Sequence, residues 1–126
     1  MKAETEAWLA SAESDAAAAR LLLTNGFYGQ SVFFTHLSVE KTLKALILER
    51  LGVGVPPRTH NLSRLIESMV ESPPEWLATF LDKLSPESAQ ARYALPPDNA
   101  VYTSDLATTL FNDAEEATQW LRQNLT

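Results

Sequence analysis

The sequence has no cysteine, only two histidines and only four glycines. Without cysteine there is no disulfide framework and no thiolate chemistry, which fits a reducing compartment. Two histidines, His36 and His60, cannot form an HExxH pair, so a zinc site would need carboxylates to fill most of its shell. Gly26, Gly29, Gly52 and Gly54 read as turn residues between helices, and none belongs to a glycine-rich phosphate loop after a strand. No serine has a nucleophile-elbow context. No apolar run approaches the roughly 18 residues that a membrane span needs. The N-terminal MKAETEAWLA lacks the basic-then-apolar order of a signal peptide. The expectation is a cytoplasmic protein with no membrane partner, metal or cofactor.

The 126 residues are enough for one domain with one hydrophobic core, spanning residues 1–126. Basic residues are in the minority, ten against sixteen acidic, for a net charge of −6. That balance disfavours a general nucleic-acid coat. The basic residues are not evenly spread. Between His36 and Arg64 stand Lys41, Lys44, Arg50, Arg58 and Arg64 against only Glu40 and Glu49, so any anion-attracting surface must come from this middle segment.

What is abundant is alanine and leucine, and alternating β-branched runs are missing. The pattern predicts an all-α, up-and-down bundle of four to five helices. The first runs from about Thr5 to Thr24 and stops at Asn25-Gly26. The second runs from about Phe27 to Leu51 and stops at Gly52. A third, about Leu62 to Glu71, starts behind Asn61 or Thr59. Ser72-Pro73-Pro74-Glu75 reads as a start, with Ser72 at the N-cap, Pro73 first in the helix and Glu75 third. Ser85-Pro86 restarts a short helix carrying Arg92 and Tyr93. The last helix begins near Thr103 or Ser104, with Ala107, Leu110, Ala114, Ala117, Leu121 and Leu125 as its apolar stripe.

At about 100° per residue, the second helix gathers Ser31, Thr35, Ser38, Thr42 and Glu49 on a narrow polar face, and most of its remaining circumference is apolar. Glu40 falls inside that apolar arc, with His36 one turn before it and Lys44 one turn after. Asp15 sits likewise among Trp8, Ala12, Ala19, Leu22 and Leu23 of the first helix. A carboxylate in an apolar stripe must find a partner or shift its pKa. Two readings follow for the buried polar set of Asp15, His36, Glu40 and Lys44. One is an ion pair, Asp15 or Glu40 with Lys44 or Arg92, that fixes helix register. The other is a polar pocket between the first two helices and the residues around Arg92. Trp76, Phe80, Tyr102 and Trp120 lie on weaker stripes, and so much aromatic surface on a small bundle predicts a dimer.

Four blocks in order resemble the HEPN domains (higher eukaryotes and prokaryotes nucleotide-binding). They are Trp8, Ala12, Asp15 and Leu22 leading to Gly26-Phe27-Tyr28; Val39-Glu40-Lys41-Thr42-Leu43-Lys44-Ala45-Leu46, similar to the family's "EKALKAL"; Thr59-His60-Asn61-Leu62, similar to "THDL"; and Ala91-Arg92-Tyr93, similar to "ARYP". The resemblance spans nearly the whole chain. It implies a helical bundle that dimerises through its central helices. It also implies a minimal nucleotidyltransferase partner in a toxin–antitoxin pair. Two activities are implied: metal-independent RNA cleavage, or binding of nucleotides or partner proteins by members that have lost the catalytic motif.

That motif is an Arg and, a few residues on, a His. The Arg corresponds to Arg92, but the His position falls on Pro97, Asp98 or Asn99. The candidate catalytic residues are therefore Arg92, His60 and Asp98, and an aspartate is a poor acid at neutral pH. The candidate ligand-binding residues are Lys41, Lys44, His60, Arg92 and Tyr93. The missing His favours a non-catalytic module over a ribonuclease.

Overall fold

A computed structural model describes residues 1–52, 56–92 and 101–125. Their elements are α1 (Ala3–Thr24), α2 (Tyr28–Leu51), α3 (Leu62–Glu67), α4 (Glu75–Leu84), α5 (Glu87–Gln90) and α6 (Ser104–Leu125). No strand occurs among the described residues, so the chain is an all-α bundle, with α5 a single turn.

The first turn forms where the sequence places it. Gly26 takes φ +83°, a conformation that costs any residue with a Cβ. The Phe27 and Gly26 N–H groups then return to the Leu22 and Leu23 carbonyls at 2.9 and 3.2 Å, closing a Schellman cap. This reversal lays α2 antiparallel against α1. Gly52, also left-handed, ends α2 by donating to the Leu48 carbonyl. Asn61 caps α3 by accepting from the Arg64 N–H at 3.1 Å. The Thr103 hydroxyl does the same for the Leu106 N–H at the start of α6.

Helix α2 is the axis of the bundle and packs against α1, α3, α5 and α6. Its Leu43, Leu46 and Ile47 meet Leu62, Leu65 and Ile66 of α3, Leu77, Leu81 and Leu84 of α4, and the α6 stripe in one core. Every residue assigned to that α6 stripe is buried. The polar face of α2 is buried too. Ser31, Thr35, Ser38 and Thr42 turn inward, and the Ser31 hydroxyl donates to the Ala19 carbonyl of α1 at 2.8 Å. Small hydroxyl side chains there let the two backbones approach closely.

Three boundaries differ from the sequence reading. Helix α3 stops at Glu67 rather than Glu71, and the Ser68 hydroxyl bonds back to the Leu65 carbonyl. Helix α4 starts at Glu75, with Pro74 as its N-cap and no contribution from Ser72. The reason is the proline pair: Pro74 disfavours helical geometry at Pro73, so Pro73 cannot be the first helical residue. Helix α5 ends at Gln90, leaving Arg92 beyond it, and Tyr93 lies outside the described residues. A fourth correction concerns aromatics. Phe80 and Tyr102 are buried in the core, Trp120 is half-buried against it, and only Trp76 of that set is exposed. The Tyr102 hydroxyl is satisfied by the Glu87 carboxylate, so a ring on a weak stripe still finds an interior place.

Candidate functional site

Phe33, His36, Glu40 and Lys44 share one face of α2 because they follow one another at steps of three and four. Glu40 is the hub. Lys44 Nζ donates to its Oε2 at 3.0 Å. His60 Nδ1 lies 2.8 Å from its Oε1, and His36 Nδ1 lies 3.6 Å from the same oxygen. His60 comes from the loop after α2, held by hydrogen bonds around Ser85: the Leu62 N–H donates to the Ser85 hydroxyl at 3.0 Å, and that hydroxyl donates to the His60 carbonyl at 3.4 Å. His36, Glu40 and Lys44 are buried, whereas the His60 side chain is 57% exposed.

Burial opposes the charge on Glu40. Hydrogen bonds from His60 and Lys44, with their charges, outweigh it and hold the carboxyl below its usual range. For His36 burial wins. Desolvation lowers its pKa below 6.5 although the Glu40 carboxylate pulls the other way, and His60 adds to the lowering. The backbone groups of Ser85 and His60 also favour the charged ring, without reversing the shift.

Both lowered values have the same sign in stability. A group whose folded pKa is depressed leaves the unfolded chain holding more protons, so stability rises with pH. For His36 that contribution is complete above 6.5 and is lost as pH falls below it; for Glu40 the loss begins below 4.5. Urea midpoints should therefore fall between pH 7 and pH 5, and His36→Leu should flatten that segment of the curve. An unchanged slope in the variant would remove His36 as its source.

The remaining candidates separate. Lys41 lies on a neighbouring face of α2, where its Nζ pairs with Asp15 at 2.8 Å and bonds the Ser11 hydroxyl at 2.8 Å. Asp15 thus belongs to an α1–α2 tie with Lys41, not to the Glu40 cluster, and neither Asp15 nor Glu40 pairs with Arg92. Arg92 is exposed, its guanidinium 5.3 Å from the centre of the Phe33 ring. Asp98, like Tyr93, lies outside the described residues. Phe33 was not among the sequence candidates, although it stands seven residues before Glu40, two turns up the same face. Among the described residues no three His, Asp or Glu side chains gather as a metal site, and no helix is long and apolar enough to cross a membrane.

The sequence model of the HEPN domain family matches residues 5–124. The chain belongs to the HEPN domain family. Two solved structures share this HEPN fold. TT1696 from Thermus thermophilus superposes with a TM-score of 0.84 at 22% identity, over 97% of this chain and 98% of that one. ST0689, described as an archaeal HEPN homologue, superposes with a TM-score of 0.78 at 25% identity over the full length of both. No curated protein sequence matches the chain significantly. Within this HEPN bundle the conspicuous polar cluster is therefore the Glu40 hub, with Arg92 and Phe33 at its head.

Proposed function

We propose that this HEPN module binds a nucleotide or another phosphate-bearing ligand, or docks a nucleotidyltransferase protein, and does not cleave RNA. The observation that carries the reading is the state of Arg92. Among the described residues its guanidinium has no carboxylate partner and is exposed, resting on Phe33. Stacking against a ring leaves the edge of the guanidinium, with its N–H fork, available for phosphate oxygens. Lys41 and Lys44 are already paired with Asp15 and Glu40, so Arg92 and His60 are the groups that meet the ligand. Lys44 acts through Glu40, which positions His60.

The missing histidine favours binding over cleavage. Cleavage needs an acid–base group and a phosphate clamp that meet at one phosphorus, and no histidine follows Arg92 in the sequence. The resemblance supports a place in a toxin–antitoxin pair beside a nucleotidyltransferase. It also supports a homodimer through α2, where Phe33, Phe34 and Leu37 are only half-buried and Phe27, seven residues before Phe34, is 52% exposed. Light scattering should give twice the 13.9 kDa chain mass; a monomer at micromolar concentration would refute the dimer.

One observation favours ribonuclease as a second reading. A carboxylate on Nδ1 of an exposed imidazole, as Glu40 holds His60, is the arrangement that orients a general base. The test is a labelled RNA incubated with the protein without divalent metal. The expected result is no cleavage above background for the wild type or for His60→Ala. Cleavage that His60→Ala abolishes would overturn the non-catalytic reading, because a lost acid–base group removes about 10²- to 10⁴-fold of rate.

A further inference from the structure

His60 lines a recess of about 360 Å³ together with Asn61, Ser85, Pro86 and Ser88. No carboxylate lines it, although the chain carries a net charge of −6. Recesses of about 500, 470 and 530 Å³ elsewhere on the bundle each include a glutamate or an aspartate. Of these four, the His60 recess repels an anion least.

The hydrogen bonds already made decide what is left to offer a ligand. The Glu40 carboxylate only accepts, so Nδ1 of His60 carries a hydrogen and Nε2 is the ring nitrogen left over. The oxygen of the Asn61 amide accepts from the Arg64 N–H, which leaves its NH₂ to donate. The Ser85 hydroxyl accepts from the Leu62 N–H and spends its hydrogen on the His60 carbonyl. The Ser88 hydroxyl has no partner among the described residues. On α2, Lys44 balances Glu40, and burial keeps His36 neutral, so a proton on His60 gives the cluster a net positive charge. On α5, the Glu87 carboxylate is taken by the Tyr102 hydroxyl.

We infer that this recess seats the terminal phosphate of a phosphomonoester, whose oxygens take hydrogen bonds from His60 Nε2, the Asn61 amide and the Ser88 hydroxyl, and that His60 takes up a proton as the ligand binds. The inference rests on the phosphate-binding reading above and adds which kind of phosphate is held. A monoester presents three acceptor oxygens, one for each donor. A phosphodiester has one fewer and leaves a donor unfilled. A dianion beside Nε2 favours the imidazolium, and binding and proton uptake strengthen each other by the same factor.

The test is calorimetry with adenosine 5′-monophosphate and with adenosine 3′,5′-cyclic monophosphate, which share base and sugar and differ as monoester and diester. Near neutral pH the monoester should bind roughly tenfold more tightly or better, the worth of one charge-assisted hydrogen bond. Its binding heat should change between buffers of different ionisation enthalpy, which reads the proton uptake. Asn61→Asp keeps a good cap on α3 but puts a carboxylate in the recess, and should weaken the monoester by roughly tenfold or more. His60→Gln should weaken it and abolish the proton uptake. Equal affinity for the two nucleotides, no proton uptake, or unchanged affinity in Asn61→Asp would overturn the inference. ATP binding that needs Arg92 but is indifferent to Asn61→Asp would overturn this seat and leave the phosphate-binding reading standing. Absence of binding for both the monophosphate and ATP up to millimolar would overturn the two together.

Discussion

Glu40→Ala should cost the fold roughly 2 to 4 kcal/mol, far more than the half kcal/mol typical of surface positions. Glu40 is buried, and its two oxygens are divided between the Lys44 ammonium and the His60 ring. Removing it strands the buried Lys44 without a counter-charge and releases His60, whose loop leads into α3. The penalty is that of an uncompensated buried cation, not the intrinsic worth of the ion pair, which desolvation reduces nearly to zero. That distinction has its own consequence: Glu40→Ala with Lys44→Met should recover much of the loss, because Met keeps most of the bulk of Lys44 and no buried charge is left behind. Urea unfolding of the wild type and the two variants reads this directly. A loss below about 0.5 kcal/mol for Glu40→Ala would mean that Lys44 finds water or another partner.

Arg92→Ala should lower affinity for a nucleoside triphosphate by about 10- to 100-fold, the range of one charge-assisted hydrogen bond at 1.5–3 kcal/mol. It should barely change stability, since an exposed cation–π contact such as that with Phe33 contributes only about 0.5 to 1 kcal/mol. Lys44→Ala should do the reverse, lowering stability more than binding. From the sequence alone both substitutions are expected to weaken binding alike, and the Glu40 pairing separates them. Binding should also weaken with salt, because the Arg92 guanidinium is exposed to screening. A calorimetric titration at two ionic strengths measures both effects.

The helices were legible because their ends carry local chemistry. Asn25-Gly26, Gly52, Asn61 and Thr103 act within a few residues of themselves, so no tertiary knowledge is needed to read them. At Ser72-Pro73-Pro74-Glu75 the sequence carries the pattern of a capped helix start, but the steric demand of the second proline overrides it and moves the start to Glu75. The column of His36, Glu40 and Lys44 was legible from helical periodicity alone. The partners that cross between elements were not. That His60 returns to Glu40, that Asp15 takes Lys41 and not Lys44, and that Arg92 lies on Phe33 all depend on how loops close and which face of α2 each neighbour covers. Composition could not place Tyr102 and Phe80 either, because a weak stripe becomes core when a neighbouring helix happens to cover it. Thr35 gave no signal, since a threonine on a polar face reads as solvent-facing until two helices are laid over it.

If the Phe33–Lys44 face of α2 is where this HEPN module meets a phosphate-bearing ligand, ATP titrated into ¹⁵N-labelled protein at low salt is the most direct test. Saturable shifts are expected at Phe33, His36, Glu40 and His60, and they should be lost in Arg92→Ala while the rest of the spectrum stays unchanged. Silence at those residues up to millimolar ATP, or saturable shifts confined to another face, would contradict it.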